Sequence, residues 1–380
     1  MSDPQIITVP GAVDLHVHLR EPSTNKAETI SSGTKAALLG GFVAICDMPN
    51  NPGSPTWTLD RLQAKQKIIE EKAYIPVATY AGSQPESDNI DELEKMAVSA
   101  IGLKLYGGTT TGNDKDYSPA DFLTILKKWK QVAPNKPIML HSGKDNLEEF
   151  IKLIVANSGQ RLHVCHVNSP DDVHIISKYK KHSLPITCGV CPHHLFMASH
   201  DVKSRGWFAR MKPPLISQDK AEELLEMLAS GQIDIVETDH APHSIESKMA
   251  TGEENPEGID NPSHKTCYGV PGLEFALPLL FYQMRQGRLT LERIIDATST
   301  KPAKIIGLKI SGRTKVTWQL KDYRINNEKT QTLSGSGWTP YLGMLASGKV
   351  KEVTIGGKTL VRGGKITSKY PKVINAGDEI

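Results

Sequence analysis

Eight short apolar runs rich in β-formers recur along the chain, at Val13–Leu19, Phe42–Met48, Tyr74–Ala81, Gly102–Tyr106, Pro137–His141, Leu162–Val167, Ile186–Val190 and Asp234–Thr238. Segments with helical spacing separate them, among them Leu59–Lys72, Ala120–Val132, Leu147–Asn157, Asp171–Lys181 and Lys220–Ala229. Strand–helix alternation implies an α/β fold with a parallel sheet, and eight repeats are the pattern of a (β/α)8 or TIM barrel. A doubly wound open sheet alternates similarly. The 380 residues would fill two or three domains at roughly 150 residues each, but a single barrel commonly takes about 250. After Leu308 the texture changes. Short β-like runs (Val316–Leu320, Val353–Ile355, Thr359–Val361) alternate with glycine-rich turns at 335–337, 356–357 and 363–364. The pattern predicts a barrel over 1–308 and a small, reduced β appendage over 309–380 that packs with the N-terminal residues.

Composition narrows the partners. Hydrophobic residues make up 38% and charged residues 23%, which excludes a disordered chain. A net charge of +3, from 45 basic and 42 acidic residues, is too balanced for a nucleic-acid-binding surface to be the default reading. The start, MSDPQIITVPG, has neither a basic n-region nor an apolar h-region. The apolar stretch Ala36–Cys46 is too short, and too broken by glycine, to span a bilayer. Five scattered cysteines, an odd number, do not form a disulfide framework. The expectation is a cytoplasmic protein with a small-molecule substrate and neither membrane nor nucleic acid as partner.

The sharpest chemical feature is Asp14-Leu15-His16-Val17-His18-Leu19-Arg20. In a strand, residues i and i+2 share a face, so His16 and His18 project side by side and can hold one metal ion. Alone, such a pair also suits a core strand. Other polar residues sit in or at the ends of the predicted strands: Lys104 in Gly-Leu-Lys-Leu-Tyr, His141, His166 and Asp239. Burying them is costly unless they are paired or metal-bound. A neutral lysine amine can add CO2 and become a carbamate, whose two oxygens can bridge two metals. Two further segments, Gly107–Tyr117 and His243–Gly272, are too long for ordinary connections and follow predicted strands.

The motifs DLHVHLREP (14–22), CDMPNN (46–51), GLKLY (102–106), VCHV (164–167), CPHHL (191–195), TDHAPH (238–243) and VPGLE (270–274) occur in this order. As a set they resemble the cyclic amidohydrolases and, within that superfamily, the dihydroorotases. The resemblance implies a metal-dependent amidohydrolase barrel. It implies two Zn2+ per chain, bridged by carboxylated Lys104: one held by His16, His18 and Asp239, the other by His141 and His166. A bridging hydroxide would be the nucleophile and Asp239 the general acid/base. The reaction would be the reversible cyclisation of N-carbamoyl-L-aspartate to L-dihydroorotate in de novo pyrimidine biosynthesis. Arg20, Asn50 and His243 would bind the substrate carboxylate, Arg20 through its bidentate fork. Thr110, or its neighbours Thr109 and Thr111, would contact substrate from a closing loop. Backbone groups near Val190, Pro271 and Gly272 would meet the ring amide. A homodimer and an association with aspartate transcarbamoylase are further partners the resemblance suggests.

Two other readings stand beside it. One is another cyclic amidase, an allantoinase or a hydantoinase/dihydropyrimidinase, whose substrates lack the ring carboxylate that Arg20 and Asn50 would recognise. The other is a non-catalytic dihydroorotase-like scaffold of aspartate transcarbamoylase. Two positions depart from the resembled pattern: Gly189 stands where a glutamate is usual, and Lys212 where an asparagine is frequent. Cys188 and Cys191 form a CxxC without a second ligand pair and read as buried strand residues. His193 and His194 read as structural, and Cys165, one residue from His166, as pointing away into the packing.

Overall fold

The computed structural model describes residues 4–83, 89–107, 118–142, 146–157, 159–181, 185–249, 267–326 and 332–380. A short strand, β1 (Gln5–Pro10), precedes the barrel. The barrel strands follow as β2 (Ala12–Val17), β3 (Phe42–Asp47), β4 (Val77–Thr79), β5 (Ala81–Gly82), β6 (Leu103–Gly107), β7 (Ile138–Ser142), β8 (Leu162–Val164), β9 (Ile186–Val190) and β10 (Ile235–Val236). They pair in parallel as β2-β3-β4 and as β5-β6-β7-β8-β9-β10. The run 74–81, which reads as one strand, is split at Tyr80: β4 pairs with β3, β5 pairs with β6, and the Tyr80 hydroxyl donates to the Leu15 carbonyl at 3.1 Å. The ring closes not by a ladder but by a single parallel bridge, Val17 to His240, with the His18 N–H donating to the His240 carbonyl at 2.8 Å. This is the TIM-barrel architecture that the eightfold alternation predicts. The run 162–167 leaves the strand after Val164, and 234–238 keeps only two residues in β10.

The five helices expected from spacing form as Leu59–Lys72, Pro119–Val132, Leu147–Asn157, Pro170–Lys180 and Gln218–Ala229. Their starts have local causes. Ser118 and Ser169 accept hydrogen bonds from the N–H groups of Asp121 and Asp171, and a proline follows each cap. A further helix, Ile30–Leu39, carries a Thr29–Ser32 capping box. Its buried face is mostly glycine, threonine and alanine, so its apolar stripe is faint. Among the described residues no helix is long and apolar enough to cross a membrane.

The C-terminal strands β11 (Lys315–Arg324), β12 (Leu345–Ile355), β13 (Lys358–Arg362) and β14 (Lys365–Ile366) make an antiparallel sheet, ordered β1-β11-β12-β13-β14. β1 pairs with β11 from Gln5 opposite Leu320 to Pro10 opposite Lys315. The sheet docks on the barrel through the buried Trp318, which lies edge-on to Phe281 at 5.0 Å between ring centroids. At Gly41 (φ 85°) any Cβ would come within 2.2 Å of the Trp318 ring, so that close approach needs glycine.

Candidate metal centre and active site

The site lies at the C-terminal ends of the barrel strands, where TIM-barrel enzymes build their chemistry. His16 on β2 and His18 just beyond it converge as the i, i+2 spacing requires. Their Nε2 atoms lie 3.3 and 3.1 Å from the same oxygen, Asp239 Oδ1. Across the pocket, His141 Nδ1 and His166 Nε2 approach to 2.8 Å, and the His16 and His166 ring centroids are 4.9 Å apart. Lys104 is buried with its Nζ 3.2 Å from Cys165 Sγ, and its charge acts on His16, His18, His141, His166 and Asp239. Thus His16, His18, Lys104, His141, His166 and Asp239 share one pocket. Burial, reinforced by the Lys104 charge, takes His141 down to about 3 and keeps His16 well below the ordinary imidazole range, and burial with the His141 charge keeps His166 well below it too. Burial, then the Arg20 charge, does the same for His18. Neutral imidazoles present the lone pairs a cation needs. Burial pushes Asp239 up to about 7, against the pull of Lys104.

The donor set fits a metal. His16, His18 and Asp239 form one buried group whose ligand atoms lie within 4.8 Å of one another. His16, Cys165 and Glu237 form a second, and Cys191, His193 and His194 a third. Imidazole with carboxylate suits zinc, and also manganese or cobalt.

Three non-glycine residues among those described adopt a positive φ: Arg20 (57°), His166 (38°) and Asp239 (44°). All three are candidate site residues. Such backbone costs about 1–3 kcal/mol each and persists only where the surroundings enforce it. The enforcing contacts are visible. Glu237 Oε1 accepts from the His166 N–H at 2.6 Å. Asp14 Oδ2 accepts from the Thr238 hydroxyl at 2.6 Å, and the Thr238 oxygen accepts from the His240 N–H at 3.0 Å. His240 Nε2 in turn meets Glu28 Oε2 at 3.0 Å.

Arg20 is buried, its Nε and Nη1 without a hydrogen-bond partner among the described residues, and Asp239 and Asp47 act on its charge. Asn50 is buried beyond the end of β3. His243 is buried, and both its ring nitrogens are engaged: Nε2 with the Tyr268 carbonyl at 2.8 Å, Nδ1 with the Asn25 side-chain amide at 3.3 Å. Val190 ends β9, buried; Pro271 and Gly272 are buried, and the Gly272 N–H donates to His240 Nδ1 at 3.1 Å. Thr110, with Thr109 and Thr111, lies outside the described residues. Lys212 places its Nζ 4.4 Å from the Tyr268 ring centroid.

Two findings correct the reading of the sequence. Cys165 does not point away from the site but touches Lys104. The strand has ended at Val164 and His166 is left-handed, so strict alternation no longer applies. The second is Glu237, fully buried among site residues, which sequence reasoning passed over in favour of Asp239. The signal was available: a glutamate following the apolar run Ile233–Val236, costly to bury without partners. The buried Asp47–Lys65 ion pair, whose Asp47 Oδ1 accepts from the Leu19 N–H at 2.9 Å, was likewise not foreseen.

Comparison with known proteins matches this architecture. The model of the Amidohydrolase family matches residues 7–316. The chain is 32% identical over 374 residues to a dihydroorotase of Staphylococcus epidermidis, covering 89% of this chain and 83% of that protein. It is 34% identical over 369 residues to the multifunctional protein CAD of Squalus acanthias; that match covers 96% of this chain but 15% of that much longer protein. Among solved structures, L-hydantoinase (dihydropyrimidinase) from Arthrobacter aurescens superposes with a TM-score of 0.82 at 24% identity, covering 96% of this chain and 87% of that one. The inactive dihydroorotase-like domain of a Chaetomium thermophilum CAD-like multifunctional protein superposes with a TM-score of 0.75 at 21% identity, covering 99% of each chain. A family match over most of the barrel, joined to a buried histidine–carboxylate group at its mouth that fits a metal, leads to one conclusion: the chain belongs to the amidohydrolase family.

Proposed function

We propose that the chain is a dihydroorotase, interconverting N-carbamoyl-L-aspartate and L-dihydroorotate for pyrimidine synthesis with two zinc ions. The observation that carries this reading is Arg20. It is a buried guanidinium in a left-handed conformation whose charge acts on both His18 and Asp239. A guanidinium buried beside a metal site is costly unless an anion meets it, and the dihydroorotate ring carries a carboxylate. Among the described residues, His16, His18 and Asp239 would hold one ion, and His141 with His166 the other. Lys104, buried in the same pocket, would bridge them as its carbamate. When bound, zinc supplies a hydroxide nucleophile at neutral pH and polarises the attacked carbonyl. Asp239 takes the proton released by the attack and returns it to the ring nitrogen as the C–N bond breaks. Arg20 and Asn50 would orient the carboxylate, and the backbone about Val190, Pro271 and Gly272 would face the ring amide; both ring nitrogens of His243 are taken up within the protein, so it would hold the pocket wall beside the carboxylate. Association with aspartate transcarbamoylase, a homodimer and a cytoplasmic location belong to the same proposal; the identity to a multifunctional protein supports looking for larger assemblies.

A second reading, an enzyme for uncharged cyclic amides, is favoured by the superposition on a hydantoinase. Parallel assays on dihydroorotate, hydantoin, dihydrouracil and allantoin separate the two. Turnover of an uncharged ring with none of dihydroorotate would replace the first reading by the second; zinc binding without turnover of any substrate would favour a scaffold.

Two variants test the residues. Arg20→Met is expected to raise KM for both dihydroorotate and carbamoyl-aspartate by about 10- to 100-fold, the scale of one charge-assisted contact. Unchanged Michaelis constants would contradict carboxylate recognition by Arg20. Lys104→Ala is expected to hold at most one zinc per chain by elemental analysis, and two ions retained would rule out the bridging carbamate.

A further inference from the structure

β9 and β10 run in parallel, with Ile235 opposite Gly189 and Val236 opposite Val190. Beyond that pair, the Glu237 side chain folds back over Gly189. A Cβ at position 189 would lie 2.5 Å from Glu237 Oε1 and 2.7 Å from its carboxyl carbon, so no side chain larger than hydrogen leaves the carboxylate in place. The carboxylate faces three segments of the site at once. Oε1 accepts from the His166 N–H at 2.6 Å. Oε2 lies 3.8 Å from His16 Nδ1 and 3.4 Å from His163 Nε2, and the other His163 nitrogen meets Thr187 Oγ1 at 2.9 Å. His16 thus has a carboxylate on either side: Asp239, 3.3 Å from Nε2, and Glu237, 3.8 Å from Nδ1, near enough to act by charge but beyond hydrogen-bond distance. Glu237 is fully buried, and no lysine or arginine is paired with it among the described ion pairs. A carboxylate in that position is costly unless the charge it supports lies beyond its partners.

We propose that Glu237 is a positioning residue of the metal centre and that Gly189 lacks a side chain to admit it. Its carboxylate holds the left-handed backbone that presents His166 by accepting the His166 N–H, and it sets a negative charge behind the His16 ring. A carboxylate behind a ligating imidazole sets the ring tautomer and raises its basicity, and loss of such a partner typically weakens metal binding by about 10- to 100-fold. Residues 189 and 237 therefore act as one unit. The carboxyl carbon of a glutamate lies two bonds beyond its own Cβ, and the Glu237 carboxyl carbon is 2.7 Å from where a Cβ at 189 would be. A glutamate at 189 could place its carboxylate in the same space once Glu237 is removed.

The inference rests on the two-zinc reading, and the test separates the two. Zinc affinity is measured by competition with a chromophoric chelator, alongside thermal unfolding of the zinc-free proteins. The unsubstituted chain binding no zinc would remove the two-zinc reading and this inference with it. If it binds zinc, Glu237→Ala is expected to weaken binding about 10- to 100-fold. Gly189→Ala should do likewise, because its Cβ displaces the carboxylate. The double variant Gly189→Glu/Glu237→Ala should recover most of the affinity lost by Glu237→Ala. Single variants that unfold at lower temperature yet bind zinc as tightly as the unsubstituted chain would overturn the proposal, and so would a double variant no tighter than Glu237→Ala. Should Glu237→Ala fail to fold, Gly189→Ala and the double variant decide by the same measures.

Discussion

Asp239→Asn is expected to lower kcat on dihydroorotate, in both directions, by about a thousandfold, within the range that general acid–base groups contribute. Asparagine is the informative replacement. It matches the size of aspartate and keeps an oxygen to face His16 and His18, but it cannot carry the proton. It also tolerates the left-handed backbone at this position (φ 44°), where asparagine and aspartate are enriched and alanine would add strain. Burial lifts the Asp239 carboxyl to about 7, close to the operating pH, where a proton carrier is most effective. Rate and bound zinc should be measured on the same preparation. A variant that retains zinc and turns over within tenfold of the unsubstituted enzyme would remove Asp239 from the proton transfer.

The zinc-free chain should be sharply acid-labile. His16, His18, His141, His166, His193, His194 and His243 are all depressed by burial in the folded state. Unfolded, each binds a proton as pH falls through about 6.5. Stability held above that pH is therefore lost below it, because the unfolded chain takes up protons the folded chain refuses. Asp14, Asp239 and Glu274 oppose this. Burial raises each to about 7, so between about pH 4 and 7 they bind protons when folded and not when unfolded. Seven histidines against three carboxyls leave a net uptake of protons on unfolding, so stability falls as pH drops from about 6 to about 4. A typical domain has only about 5–15 kcal/mol in total. Urea unfolding of the chelator-treated chain at pH 7.5, 6 and 5 should show a steep fall. Equal midpoints at pH 7.5 and 5 would sink the argument.

The barrel was legible because its signal is repetitive: each apolar run and each capped helix announces itself locally, and eight repeats reinforce one another. His16 and His18 were legible because strand alternation fixes their common direction. What escaped depends on contacts between distant segments. Glu237 reads as a strand-end glutamate until the missing side chain at Gly189 is placed beside it. Cys165 reads as packing because alternation assigns it the opposite face, and only the left-handed turn at His166 reverses that. The helix Ile30–Leu39 escaped for a different reason: its glycine and alanine face buries little apolar area per residue.

The single-bridge closure of the barrel bears on the order in which the protein can acquire its site. Asp14 reaches Thr238, and His18 reaches Asp239 across 221 positions of chain. Both contacts span more than half the chain, and the entropy of closing so long a loop must be met before either forms. Seven strands can assemble in succession without them. The three-residue donor group of His16, His18 and Asp239 does not exist until the first strand meets the last segment. An ion held at that group would therefore tie together a junction of the ring that, among the described residues, a single bridge closes.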